Sequence, residues 1–188
     1  CAALALSLLG HHQGFDRIAT GGAPTLGAAV PGARTVAELL ADAAAIAAQL
    51  RDLPRGGEIA VACHDRYLFA AALLGAWERE LVVALPPNTQ RETLKLLRTG
   101  GSVLTVLHDE TGALGIDVRT LVGGPVPSGE LHRPSPLPPE RRVVVVYTSG
   151  TTGTPMACPK TAGQLIGEAI GLCRTFGIRS GDAIVATV

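Results

Sequence analysis

Apolar positions along this chain change their period several times, and each change marks an element. Val36, Leu39, Leu40, Ala43, Ile46, Leu50 and Leu53 recur at helical spacing. Thr35 and Glu38 stand three apart at the start of that run, the capping-box arrangement in which the threonine caps and the glutamate reaches back. Pro54, Gly56 and Gly57 end the helix. Residues 58–63 form a short apolar run that predicts a strand, and Asp65 stands where it can cap a second helix over 66–78. That helix is apolar nearly all round, as buried helices are. A strand is predicted at 81–85, closed by Pro86 and Pro87. Thr89 and Glu92 repeat the capping-box spacing and open a helix that ends near Gly100 and Gly101, followed by a strand at 102–107. Further strands are predicted at 143–147 and 183–188. Between them lies a helix opened by a third box, Thr161 with Gln164, which sets Leu165, Ala169, Leu172 and Phe176 on one face and stops at Gly177.

The helix and strand patterns alternate, and the strands read as continuous apolar runs rather than alternating ones. Strands covered by helices on both faces look like this. The predicted fold is therefore α/β, a three-layer sandwich with a mainly parallel sheet. Prolines crowd residues 123–142, which read as an extended connection inside a single domain spanning 1–188.

Composition narrows the function. With 47% hydrophobic and 17% charged residues, the 188-residue chain is globular and has a sizeable core. Sixteen basic residues balance sixteen acidic ones, which argues against a nucleic-acid or membrane-surface partner attracted by bulk charge. The apolar run 2–9 is too short to span a bilayer and reads as a packed helix. His11 and His12 are adjacent, so they do not face one metal from a helix. Cys1, Cys63, Cys158 and Cys173 show no Cys-x-x-Cys spacing, and Cys63 and Cys173 read as small buried hydrophobes in a reduced, cytoplasmic protein. Asp65 is read as a cap, Trp77 as core and Arg141–Arg142 as a solvated strand start. The chain opens on Cys1 and closes on an apolar run at Val188, so it is expected to be the N-terminal part of a longer protein.

Candidate chemistry concentrates after the strand at 143–147. Thr148, Ser149, Thr151 and Thr152 bring four hydroxyls, and Gly150 and Gly153 free the backbone for close approach to a ligand. A loop of this kind, leaving a buried strand and leading to a helix, presents backbone N–H groups that cradle phosphate. It is not a Walker loop, because Gly153 is followed by Thr154 and Pro155. Nor is it a Gly-x-Ser-x-Gly hydrolase elbow, so Ser149 has no claim to be a nucleophile.

The whole string Tyr147-Thr-Ser-Gly-Thr-Thr-Gly-Thr-Pro155 resembles the nucleotide-phosphate loop of the adenylate-forming superfamily: acyl-CoA synthetases, peptide-synthetase adenylation domains and luciferases. The usual pattern there is Tyr/Phe-Thr-Ser-Gly-Ser/Thr-Thr-Gly-x-Pro-Lys, with a Thr and a Leu in the next helix, matched here by Thr161 and Leu165. A weaker resemblance runs through residues 35–39, 58–63, 71–77 and 85–88 in the order of that family's N-terminal subdomain.

The resemblance implies a flavodoxin-like N-terminal subdomain and an ATP-dependent ligase. A small-molecule carboxylic acid reacts with Mg2+–ATP to give an acyl-adenylate and pyrophosphate, and CoA or a carrier pantetheine then takes the acyl group. It implies that Thr148, Ser149, Gly150, Thr151, Thr152 and Gly153 contact phosphate, and it suggests a setting in fatty acid metabolism. One departure stands out: the lysine expected after the proline is Met156. Lys160, four residues on, is the expected replacement as the phosphate-neutralising catalytic cation, carried there by a short mobile segment. No residue of the chain is expected to bind metal. The family's magnesium-binding, ribose-binding and C-terminal-domain groups do not map here, so the chain alone is expected to be inactive and to hold no cofactor tightly. A domain that loads an acyl carrier protein, and a degenerate non-catalytic scaffold, are the alternatives.

Overall fold

The structure is a computed structural model and describes residues 17–18, 34–125, 136–148 and 156–179. The expectations placed at 2–9, 11–12 and 183–188, the middle of the proline-rich connection and the loop at 149–155 lie outside the described residues.

A two-residue strand β1 (Arg17–Ile18) pairs antiparallel with β2 (Arg34–Thr35). Helix α1 (Val36–Gln49) follows directly. Its predicted capping box is present: Glu38 N–H donates to Thr35 Oγ1 at 3.1 Å, and Thr35 N–H donates to Glu38 Oε2 at 2.7 Å. The chain then runs through β3 (Glu58–Ala62), α2 (Arg66–Glu78), β4 (Val82–Leu85), α3 (Arg91–Thr99), β5 (Val106–His108) and β6 (Ile116–Asp117). Two further strands, β7 (Arg142–Thr148) and β8 (Met156–Thr161), precede helix α4 (Ala162–Phe176).

Six of these strands form one sheet in the order β6-β5-β3-β4-β7-β8, parallel throughout except for β8, which runs antiparallel to β7. The crossover from β3 to β4 and the crossover from β4 to β5 travel in opposite directions across the sheet. Right-handed connections then require their helices on opposite faces. Accordingly α1 and α2 bury Leu39, Ile46, Leu68, Ala71 and Trp77 against Ile59, Val61 and Val83, while α3 buries Leu94 against Ala60, Ala84 and Val106 on the other face. The predicted three-layer α/β arrangement with a mainly parallel sheet is thus observed.

Burial accounts for the strand compositions. Ile59, Ala60, Val83 and Ala84 are fully buried. Trp77 is core as expected, its indole N–H donating to the Val143 carbonyl at 3.0 Å. Arg141 is less solvated than expected: its guanidinium donates to the Trp77 carbonyl at 3.3 Å, and burial pulls its pKa down.

Three sequence expectations need correction. The box at Thr89 does not form: Gln90 is the cap of α3 and makes no side-chain cap bond, while Thr89 Oγ1 faces His64 Nε2 at 3.4 Å. The strand predicted at 102–107 is regular only over Val106–His108, although Leu104 N–H and Thr105 C=O already bond to β3. The segment after the glycine-rich loop is a strand, β8, rather than a flexible connection. Helix α4 buries only Ala162, and Leu172 and Phe176 stand 55% and 72% exposed, so its apolar face is uncovered by the described residues.

Candidate functional site

Strands β3, β4, β5 and β7 point their carboxyl ends to one edge of the sheet, the edge at which such folds bind ligands. At the end of β3, the Asp109 carboxylate accepts from His64 N–H at 3.0 and 2.9 Å and from Asp65 N–H at 2.7 Å. This staples the exit of β3 to the exit of β5. Asp65 in turn caps α2, accepting from Leu68 N–H at 2.9 Å, as its position in the sequence suggested. Cys63, beside this staple, has its thiol pushed far up, first by burial and then by the carboxylates of Asp109, Asp65 and Asp117. It stays a protonated, inert hydrophobe at neutral pH, as read from the sequence.

A cavity of about 820 Å³ opens at this edge between α3 and the loop after β5. Arg91, Lys95 and Arg98 line it from one face of α3, at spacings of four and three residues that put them side by side. Thr89 and His64 line it from the strand ends, and Glu110 is the acidic residue opposite. The cavity is therefore net cationic with hydroxyl donors at its rim, an environment suited to a phosphate-bearing ligand. Periodicity in the sequence did not single out this row, because three cations on an exposed helix read as an ordinary solvated face. His108, buried at the end of β5, has no hydrogen-bond partner for either ring nitrogen among the described residues.

The glycine-rich loop is placed by β7. Val143, Val144 and Val145 are buried in the sheet, so the strand that delivers the loop is rigid. Thr148, the last residue of β7 at its carboxyl end, pairs with Met156, the first residue of β8, across the antiparallel ladder. Ser149, Gly150, Thr151, Thr152 and Gly153 lie outside the described residues.

Lys160 lies within β8, and its relation to residues 149–155 falls outside the described residues. Lys160 pairs with Val144, four strand residues from the loop's return at Met156, or about 13 Å along the strand. Its ammonium lies 2.5 Å from Glu168 Oε1 of α4. The expected replacement assumed a mobile segment, and a hydrogen-bonded strand removes that freedom. Met156 itself is 64% exposed, so the residue at the usual lysine position is available at the surface but carries no charge.

Among the described residues no group of three or more His, Cys, Asp or Glu side chains is placed to hold a metal, and no helix is long and apolar enough to cross a membrane.

No curated protein sequence matches the chain. Among solved structures, O-succinylbenzoate coenzyme A synthetase (MenE) from Bacillus subtilis in complex with AMP superposes with a TM-score of 0.64 at 23% identity, over 82% of this chain and 43% of that one. McyG A-PCP complexed with phenylalanyl-adenylate superposes with a TM-score of 0.61 at 16% identity, over 78% of this chain and 26% of that one. VinN in complex with L-aspartate gives 0.61 at 22% identity, over 81% and 48%. The chain thus spans less than half the length of each of these structures, and at such identities the likeness shows a shared fold. The sequence model of the AMP-binding enzymes matches residues 27–188, most of the chain, and the chain belongs to that adenylate-forming family.

Proposed function

We propose that this chain is the phosphate-gripping N-terminal part of a ligase that activates a small carboxylic acid with ATP and passes the acyl group to the thiol of CoA or of a carrier-bound pantetheine. The observation that carries the reading is the delivery of the loop at 149–155 from the carboxyl end of the buried strand β7, closed by the Thr148–Met156 pair. The residues 1–188 form one incomplete domain in this reading, with the proline-rich stretch at 123–142 as an internal connection.

The hydroxyls and backbone N–H groups of Thr148, Ser149, Gly150, Thr151, Thr152 and Gly153 hold the β- and γ-phosphates. The acid's carboxylate oxygen attacks the α-phosphorus, the P–O bond to the β-phosphate breaks, and pyrophosphate leaves with the negative charge. The loop lowers this barrier by fixing the leaving group and stabilising its charge. Magnesium accompanies ATP in the family; the described residues hold no group of three or more His, Cys, Asp or Glu side chains placed to bind it. Lys160 acts in this reading as a clamp between β8 and α4, not as a phosphate ligand.

The cationic cavity on α3 supports a phosphorylated thiol carrier as acceptor, since both CoA and a carrier pantetheine bear phosphate. The test is ATP–pyrophosphate exchange by the full-length protein with a panel of carboxylic acids, followed by thioester formation with CoA or a loaded carrier. Acid-dependent exchange is expected; exchange with none of the acids contradicts the reading. A non-catalytic scaffold is the second reading, favoured by Met156 at the lysine position and by the engagement of Lys160 with Glu168.

A further inference from the structure

The two faces of the central sheet differ in a way that concerns the base of the loop. Towards α1 and α2 the strands present Ile59, Val61 and Val83; towards α3 they present Ala60, Ala62 and Ala84. The alanines leave a trough, and the ring of Tyr147 packs against them. Its hydroxyl donates to Glu58 Oε1 at 2.8 Å.

The register shows how far this bond reaches. Glu58 is level with Val82 on β4, and Val83 is level with Val144 on β7, so Glu58 stands level with Val143. Tyr147 is four residues further along β7, about 13 Å at the rise of a strand, and two strands away. The last registered pair between β7 and β4 is Leu85 with Val146. Beyond it, Tyr147 and Thr148 are paired only with the edge strand β8. The end of β7 therefore overhangs its parallel neighbour, and the Tyr147–Glu58 bond is a side-chain tie running back from the overhang into the sheet. Burial, and then the Glu58 carboxylate, raise the phenol's pKa, so it stays a donor through the neutral range.

We propose that Tyr147 is a positioning residue for the phosphate loop: its hydrogen bond to Glu58 fixes the level and direction at which β7 releases the chain at Thr148. A phenylalanine would fill the alanine trough equally well but could not make the tie, so the tie belongs to this Tyr–Glu pair. Its link to ATP rests on the function proposed above; its effect on the loop does not.

Hydrogen exchange followed by mass spectrometry on this chain separates the two. Tyr147→Phe is expected to speed exchange over 148–155 by about fivefold, the loss of one hydrogen bond, with α1 unchanged. Glu58→Ala should do the same. Glu58→Gln, whose amide oxygen still accepts, should restore exchange close to the wild-type rate, and the double variant Tyr147→Phe/Glu58→Ala should be no faster than either single one. Unchanged exchange over 148–155, equal acceleration throughout the chain, or failure of Glu58→Gln to restore the rate would each overturn the proposal. In the full-length protein, Tyr147→Phe should raise KM for ATP by about fivefold in pyrophosphate exchange with kcat within about twofold. If the wild-type protein supports no exchange, the function reading falls and hydrogen exchange still decides the tie. If it supports exchange and KM for ATP is unmoved, the tie plays no part in positioning the loop for ATP.

Discussion

Asp42 and Tyr67 show what single residues contribute to holding this site. Asp42 is 3% exposed on α1; it accepts from the Tyr67 hydroxyl of α2 at 2.5 Å and from Gly123 N–H at 2.8 Å, at the start of the proline-rich connection. One carboxylate thus joins two helices and a loop. Asp42→Ala leaves the buried Tyr67 hydroxyl unpaired and frees the exposed Gly123 N–H to water, and is expected to lower unfolding free energy by about 2 kcal/mol, measured by urea denaturation. Tyr67→Phe removes one partner and should lower it by about 1 kcal/mol. Neither residue's role was legible in the sequence, because their partners are distant in the chain. Local partners were legible. Thr35 with Glu38, Thr161 with Gln164, and Asp65 with Leu68 all form the caps that their spacing predicts. Thr89 has the same spacing but faces His64, since the helix starts one residue later than the pattern suggests. Glu38 also gives a pH signature. Hydrogen bonds from the Thr35 backbone and side chain, and then Arg34, hold its carboxyl below the ordinary carboxylate range. A lowered folded-state pKa adds stability above the unfolded value and loses it as pH falls through the folded one. The stability gap between wild type and Glu38→Gln should therefore be widest at neutral pH and close below about pH 4.

At the scale of elements, strands read correctly where they are buried on both faces. β3, β4 and β7 are continuous apolar runs because helices or core cover each side. β8 escaped because it is an edge strand: Pro159 and Lys160 break the apolar pattern and are tolerated only where the outer edge needs no partner. Lys160 therefore stands at a fixed level on the ladder, opposite Val144 and four residues along β8 from Met156. Lys160→Ala should leave pyrophosphate exchange within about twofold, as expected for an exposed ion pair away from the phosphates. The α1–α2 contact depends on Gly75. A Cβ there would lie 2.7 Å from the Ala43 carbonyl oxygen and 3.0 Å from Ile46. Gly75→Ala should force the helices apart and lower stability by about 2 kcal/mol in thermal or urea unfolding. The apolar face of α4 was legible as a pattern, but what it packs against was not, since Leu172 and Phe176 find no cover within the described residues.

At the scale of the whole molecule, opposed crossovers set helices on both faces and leave the carboxyl ends of four parallel strands clear. The loop off β7 and the cationic cavity beside β3 and β5 share that edge. The glycine-rich string stood out in the sequence because it is contiguous. The cavity did not, because its lining gathers a helix face and three loop segments that meet only on folding. The chain spans less than half the length of the structures it resembles, so one half of a site should bind weakly: calorimetric titration of the 188 residues with Mg2+–ATP is expected to give no micromolar constant. In the proposed function, the segment after β7 grips the phosphates of ATP during adenylate formation. That role is tested most directly by pyrophosphate exchange in the full-length protein, comparing wild type with Thr151→Val/Thr152→Val. Exchange that requires a carboxylic acid and falls by about a hundredfold in the double variant is the predicted result. Undiminished exchange in that variant would contradict it.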